Sequence, residues 1–234
     1  MTDLQVIAIH DIGEVRPGDD LADLIAGADD AELRDGDCLV ITQKVVSKAE
    51  GRLVEIDPDD PLSHKPLVER ESVRILRRRG ELIISETSHG FVCANAGIDL
   101  SNVERGQAAL LPVDSDRSAR GIRDRLKARH GVDVAIVISD TFGRPWRRGV
   151  TDIAIGCAGI RGIADLRGTN DALGRELMVT EVAIVDEIAA AADLVMGKAK
   201  GVAVAIVRGL DPGWFGRGSV VDEIVRDPAE DLFR

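Results

Sequence analysis

Residues 132–139 (VDVAIVIS) are almost wholly apolar and β-branched, and they run directly into Asp140 and Thr141. Such a run reads as a strand buried on both faces. A carboxylate at its end must reach solvent or be met by a cation, and strand ends of this kind favour ligand sites. Asp99 stands in a second polar stretch, between Gly97 and Asn102. Two aspartates and a threonine hydroxyl are hard oxygen donors, suited to Mg²⁺ or Mn²⁺ shared with substrate phosphates rather than to zinc. Each also has an ordinary structural reading, Asp140 as a cap for the next turn and Asp99 as turn material.

Basic side chains supply the complementary charge. Lys44 and Lys48 are four apart, so a helix would place both on one face. Residues 143–149 gather Arg144, Arg147 and Arg148 around Trp146, and Lys198 and Lys200 alternate with Gly197 and Gly201. Guanidinium forks and ammonium groups bind phosphates, although each of these residues taken singly also reads as solvated surface. Trp146 could pack a heterocycle or anchor its own loop. The four histidines, His10, His64, His89 and His130, show no HxH or HExxH spacing. There is no Walker loop and no GxGxxG, and residues 156–162 (GCAGIRG) have the wrong spacing and no lysine.

Composition narrows the partners. The 41 acidic against 30 basic residues leave a net charge of −11, which repels a phosphate backbone, and 3% aromatic residues with no Tyr leave few stacking platforms. Nucleic acid is therefore not an expected partner. No apolar run approaches the roughly 20 residues of a membrane span, and the first residues lack the basic start of an export signal. Cys38, Cys93 and Cys157 are odd in number and widely spaced, which suggests neither a zinc site nor a disulfide framework and fits a cytoplasmic protein.

Strands and helices must position these groups. Strands are expected over residues 4–9, 38–42, 81–85, 90–93, 132–139 and 202–207, with another ending at Leu110 and Leu111. Helices are expected after Asp19 and Asp20, over a basic segment 67–79, over 114–130 and over 182–195. The tail is Gly-rich over 209–218, then short and amphipathic to Phe233. The alternation is irregular, which predicts a mixed α/β (α+β) fold rather than a regular doubly wound sheet. No linker divides the chain, so residues 1–234 are expected to form one domain, or two interlocked subdomains.

Several ordered stretches together resemble the coenzyme F-420-0:L-glutamate ligase family: residues 14–21 (EVRPGDDL), 45–48 (VVSK), 89–99 (HGFVCANAGID), 139–147 (SDTFGRPWR) and 174–177 (GREL). The resemblance continues through residues 180–183 and 207–209. It implies a family-specific mixed α/β fold, an intertwined homodimer, and ligation of L-glutamate to coenzyme F-420-0 with GTP and Mn²⁺ or Mg²⁺, with K⁺ as a further candidate cation. By position in these motifs, Asp99, Asp140 and Thr141 would be metal ligands. Ile12, Gly13, Glu14, Val15, Gln43, Lys48, Asn102, Gly197, Lys198 and Gly201 would contact the nucleotide. Asp140, Arg144 and Arg147 would act on the phosphoryl group in transfer. Three stretches depart from the family pattern: residues 11–14 (DIGE) replace Gly-Leu-Pro-Glu, Gln43 stands where Ser is common, and residues 197–201 are basic.

Overall fold

The computed structural model describes residues 3–231; Phe233, expected to end the amphipathic tail, lies outside the described residues. The chain opens with β1 (Gln5–Ile9), α1 (Leu21–Ala26), β2 (Cys38–Thr42) and α2 (Gln43–Ala49). A smaller region follows: β3 (Leu53–Glu55), α3 (Lys65–Arg70), β4 (Ser72–Arg79), β5 (Leu82–Thr87), β6 (Val92–Ala94) and β7 (Gln107–Ala109). Then come α4 (Ser115–Arg125), β8 (Ala135–Arg144), β9 (Arg147–Ala158), β10 (Ala164–Asp165), β11 (Glu181–Val182), α5 (Ile184–Met196), β12 (Val204–Arg208) and α6 (Val220–Glu223). The main sheet has the order β1-β12-β2-β8-β9, antiparallel except between β2 and β8. Strands β4-β5-β6 form a separate sheet, and β3-β7 and β10-β11 form two-stranded ribbons. The mixed α/β expectation is met.

Strand formation follows side-chain shape. β2, β12 and the first half of β8 are short, mainly apolar runs rich in Val, Ile, Leu and Ala with every or nearly every side chain buried, so they pack on both faces of the sheet. Helices α4 and α5 cover β8 and β9. Asp20 caps α1 by accepting from the Ala22 N–H at 3.0 Å, and Asp114 caps α4 by accepting from Arg117 N–H at 2.8 Å. Asp20 is shared with α4, accepting from Arg125 Nε at 3.0 Å. Buried Asp37, 1% exposed, takes both arms of Arg208 at 2.7 Å and so fastens the turn before β2 to the end of β12.

Two expectations are corrected. Residues 67–79 do not form one basic helix: α3 ends at Arg70, and residues 72–79 pair with β5 as β4. The β-branched Val73 and Ile75 favour extended backbone, and an exposed strand tolerates the arginines that looked like a helical face. The strand expected to stop at Ser139 continues to Arg144 and turns directly into β9, so Asp140 and Thr141 lie within a long hairpin and residues 143–149 form its tip.

That hairpin carries a bulge. Ile138 pairs with Gly156, but Ser139 pairs with Ala154, so β9 holds one extra residue. The Ala154 N–H donates to Asp186 Oδ1 of α5 at 3.0 Å. Beside the bulge, α4 crosses Gly156 so closely that an added Cβ would lie 2.6 Å from Ser115 Cβ and from its carbonyl oxygen. Asp116, in the first turn of α4, accepts from Cys157 N–H at 2.7 Å and Val220 N–H at 3.0 Å, joining β9 to the start of α6.

Because the atoms above Gly156 are the Ser115 backbone and its Cβ, none of them the free end of a flexible side chain, Gly156→Ala should lower unfolding free energy by about 1–3 kcal/mol, the range for overpacking; an unchanged denaturant midpoint would contradict this packing. The thiols yield a second expectation. Cys38, Cys93 and Cys157 are all free and buried, and burial pushes Cys93 up to about 12 and the other two upward as well. A neutral-pH disulfide reagent should therefore modify none of them in the native protein and all three in denaturant. Rapid native labelling would show that the core opens.

Candidate functional site

The parallel pairing of β2 with β8 sets their C-terminal ends at the same edge of the sheet. A cleft of about 400 Å³ opens there. Thr42, Lys44 and Lys48 reach it from the end of β2 and from α2, while Asp140, Thr141 and Asp152 reach it from the β8–β9 hairpin. Residues 11–15 form one wall, and Asp193, Met196, Gly197, Lys198, Gly201, Val202 and Ala203 form another. The Thr42 N–H donates to Ala203 O at 3.0 Å, tying this second wall to β2.

The walls have distinct builds. Ile12 and Val15 are buried in the core, so their loop is anchored while Gly13 and Glu14 are exposed. Gly197 ends α5 with φ 53° and ψ 151°, a conformation that requires glycine, and it turns the chain back across the cleft. Lys200 donates to the carbonyls of Leu194 and Val195 at 3.4 Å, an ammonium closing a helix C-terminus. Asn102 Nδ2 donates to Lys198 O at 3.3 Å, and Lys48 Nζ meets Glu14 Oε1 at 2.7 Å.

Acidic and basic groups interleave at the floor. Asp140 Oδ1 accepts from the Thr141 N–H at 2.8 Å. Burial, with the nearby Asp99 and Asp152 carboxylates, pushes Asp140 up to about 7 against the opposing pull of the Thr141 N–H and Lys44. Thr141 Oγ1 and Ser139 Oγ donate to the two oxygens of Asp152 at 2.6 and 2.9 Å. Asp193 is also raised, mainly by burial and further by Asp152, while Lys198 and Lys200 oppose the shift.

The cleft gathers most of the residues singled out by sequence: Ile12, Gly13, Glu14, Val15, Lys48, Asn102, Asp140, Thr141, Gly197, Lys198 and Gly201. Four others stand apart from its lining. Asp99 is bound by Lys44 Nζ at 2.5 Å and by the Ser101 N–H and hydroxyl, both at 2.7 Å, so Lys44 supplies the compensating charge there. Gln43 is fully buried and accepts from Ser47 Oγ at 2.8 Å. Arg144 and Arg147 are exposed at the hairpin tip around Trp146, which is 81% exposed with φ 57°. Sequence reading missed Thr42, Asp152 and Asp193 as site residues. Asp152 could be found only by knowing the hairpin register, and Asp193 only by knowing which turn of α5 meets the cleft.

Hard-donor chemistry is present without a closed cage. Among the described residues, no group of three or more His, Cys, Asp or Glu side chains converges as a metal shell. One or two carboxylates completed by phosphate oxygens is the usual way to hold Mg²⁺, and Asp140 beside Thr141 fits that pattern. No helix among the described residues is long and apolar enough to cross a membrane.

Comparison with known proteins places the chain. The family model described as F420-0:Gamma-glutamyl ligase matches residues 10–209. The coenzyme F420:L-glutamate ligase of Methanopyrus kandleri is 47% identical, with 94% of each chain covered. The proteins of the same name from Methanothermobacter thermautotrophicus and Methanocaldococcus jannaschii are 42% and 41% identical, over 99% and 86% of each chain. With the family match spanning most of its length and relatives of this similarity covering nearly all of it, the chain belongs to the F420-0:gamma-glutamyl ligase family, a family of ligase enzymes.

Proposed function

We propose that this protein joins L-glutamate to the terminal carboxylate of coenzyme F420-0, with GTP as the energy source and Mg²⁺ or Mn²⁺ as the cation. The observation that carries the reading is the cleft at the shared end of β2 and β8, where Asp140 and Thr141 face Lys44, Lys48 and Lys198. Relatives named coenzyme F420:L-glutamate ligase support this choice of substrates.

Amide formation from a carboxylate and an amine needs activation. The F420-0 carboxylate oxygen attacks the γ-phosphorus of GTP, the bond to the bridging oxygen breaks, and GDP leaves. The glutamate nitrogen then attacks the acyl carbon, loses a proton, and expels inorganic phosphate. A bound divalent cation would neutralise the phosphoryl oxygens during transfer. Asp140 and Thr141 would hold it, with Asp99 joining once Lys44 is drawn toward phosphate. Lys48 and Lys198 bind phosphate charge, and residues 11–15 with Asn102 seat the nucleoside.

The homodimer belongs to the same proposal. Arg144 and Arg147 stand on a hairpin tip away from the lining of their own cleft, with Trp146 and Val150 exposed beside them. A second copy of the chain is the partner we assign to this arm, with the guanidinium groups gathering an anionic substrate.

Mass spectrometry of the protein with F420-0, GTP, Mn²⁺ and glutamate should show product heavier by glutamyl steps. GTP binding without product would favour a nucleotide-binding regulator, and product only with another acid or amino acid would reassign the substrate. Asp140→Asn should lower turnover by more than about 100-fold, beyond the loss typical of outer partners of a metal site; near-normal turnover would remove Asp140 from the chemistry. Oxygen-18 in the F420-0 carboxylate should emerge in the released phosphate. Unlabelled phosphate accompanying amide would exclude the acyl phosphate.

A further inference from the structure

Asp152 is 5% exposed, yet it lines the cleft beside Asp140 and Thr141. Its carboxylate is engaged from the facing strand by two hydroxyls, Thr141 at Oδ1 and Ser139 at Oδ2. The bulge makes this pairing. Above it, residues pair as Ile138 with Gly156; continued without the extra residue, that register would set Thr141 against Ile153 and Asp152 against Phe142. The observed ladder instead sets Thr141 opposite Asp152. A one-residue shift in a strand exchanges the faces of its side chains, so without the bulge Asp152 would not share a face with Thr141. Asp186, through its bond to the Ala154 N–H, and Gly156, through its close fit under α4, hold the irregularity in place.

The direction of the Thr141 bond decides what the hydroxyl can do. A hydroxyl has one proton and two lone pairs. With its proton committed to Asp152, Thr141 Oγ1 keeps its lone pairs for a second neighbour. An oxygen that serves a cation needs this arrangement, because a rotating hydroxyl would present its proton part of the time. The geometry points to Asp152 as a positioning residue: it fixes the Thr141 hydroxyl as an oxygen donor for the divalent cation held with the nucleotide phosphates. This rests on the ligase reading above and adds a role for a residue that need not touch the cation. A purely structural Asp152 would serve only to satisfy the buried Ser139 hydroxyl.

The experiment is direct Mn²⁺ binding to the protein in the presence of GDP, followed by electron paramagnetic resonance of free Mn²⁺, with no turnover required. Asp152→Ala and Thr141→Val should each weaken Mn²⁺ binding by about 10- to 100-fold, the usual cost of losing an outer partner or its ligand. The double variant should bind no more weakly than the weaker single variant, because Asp152 acts through Thr141. Ser139→Ala should bind Mn²⁺ as the parent does. Wild-type affinity in Asp152→Ala, or losses that multiply in the double variant, would overturn the inference while leaving the ligase reading standing. If the parent protein binds no Mn²⁺ with GDP, the metal part of that reading fails and the inference fails with it. Should Asp152→Ala not fold, Asp152→Leu carries the test: it keeps the side chain's bulk but offers no acceptor to either hydroxyl, and unchanged Mn²⁺ affinity there would refute the role of Asp152.

Discussion

Charge delivered to the end of an apolar sheet is the constraint on which the rest of this structure turns. The residues of β8 from Ala135 to Ser139 are buried, and the next residue is Asp140. An isolated carboxylate in that place would be very costly, so the surrounding elements are arranged to answer it. The parallel alignment of β2 and β8 is the central answer: it carries α2 to the same edge and brings Lys44 and Lys48 to the cleft. An antiparallel pair would have sent α2 to the opposite end of the sheet. The Thr42 to Ala203 bond then draws in the chain after α5, with Lys198.

Compensation is incomplete by design of the sequence. Lys44 is engaged with Asp99 and Ser101, and Lys48 with Glu14, so both lysines that α2 brings to the cleft are already shared. The cleft retains Asp140, Asp152 and Asp193; burial raises Asp140 and Asp193, and the neighbouring carboxylates add to the shift. A site meant only for a phosphate anion would repel it with three carboxylates. The proposed pairing of a cation with phosphates would use both signs of charge, the carboxylates and the lysines that line the cleft.

The strands of the main sheet were legible because burial on both faces demands continuous β-branched runs, and few other structures do. β2 matches its expected residues, and β12 lies within two residues of its expected start. The smaller sheet was less legible for a related reason. β4 is exposed along nearly its whole length, so neither alternation nor a continuous apolar run marks it, and arginines with Leu76 imitate a helix. Its identity depends on β5, a tertiary fact absent from any local window. The motif at residues 139–147 similarly singled out Asp140 and Thr141, which line the cleft, but local sequence could not say that the same strand continues outward and leaves Arg144 and Arg147 at the hairpin tip.

Asp152 shows where residue-by-residue reading ends. Its hydroxyl partners on β8 are 11 and 13 residues away along the chain, and it meets them only because one extra residue in β9 shifts the register. Nothing in the types of residues 150–158 announces a bulge except Gly156, whose missing side chain admits α4. The cleft edge thus depends on a packing feature one layer away: helix α4 can descend because position 156 has no Cβ, and the strand beneath it can carry an extra residue because α5 offers Asp186 to a backbone N–H there. A substitution at either helix contact would act on the cleft through register rather than through any direct contact with it. For that reason the residues that shape this site extend beyond those that line it.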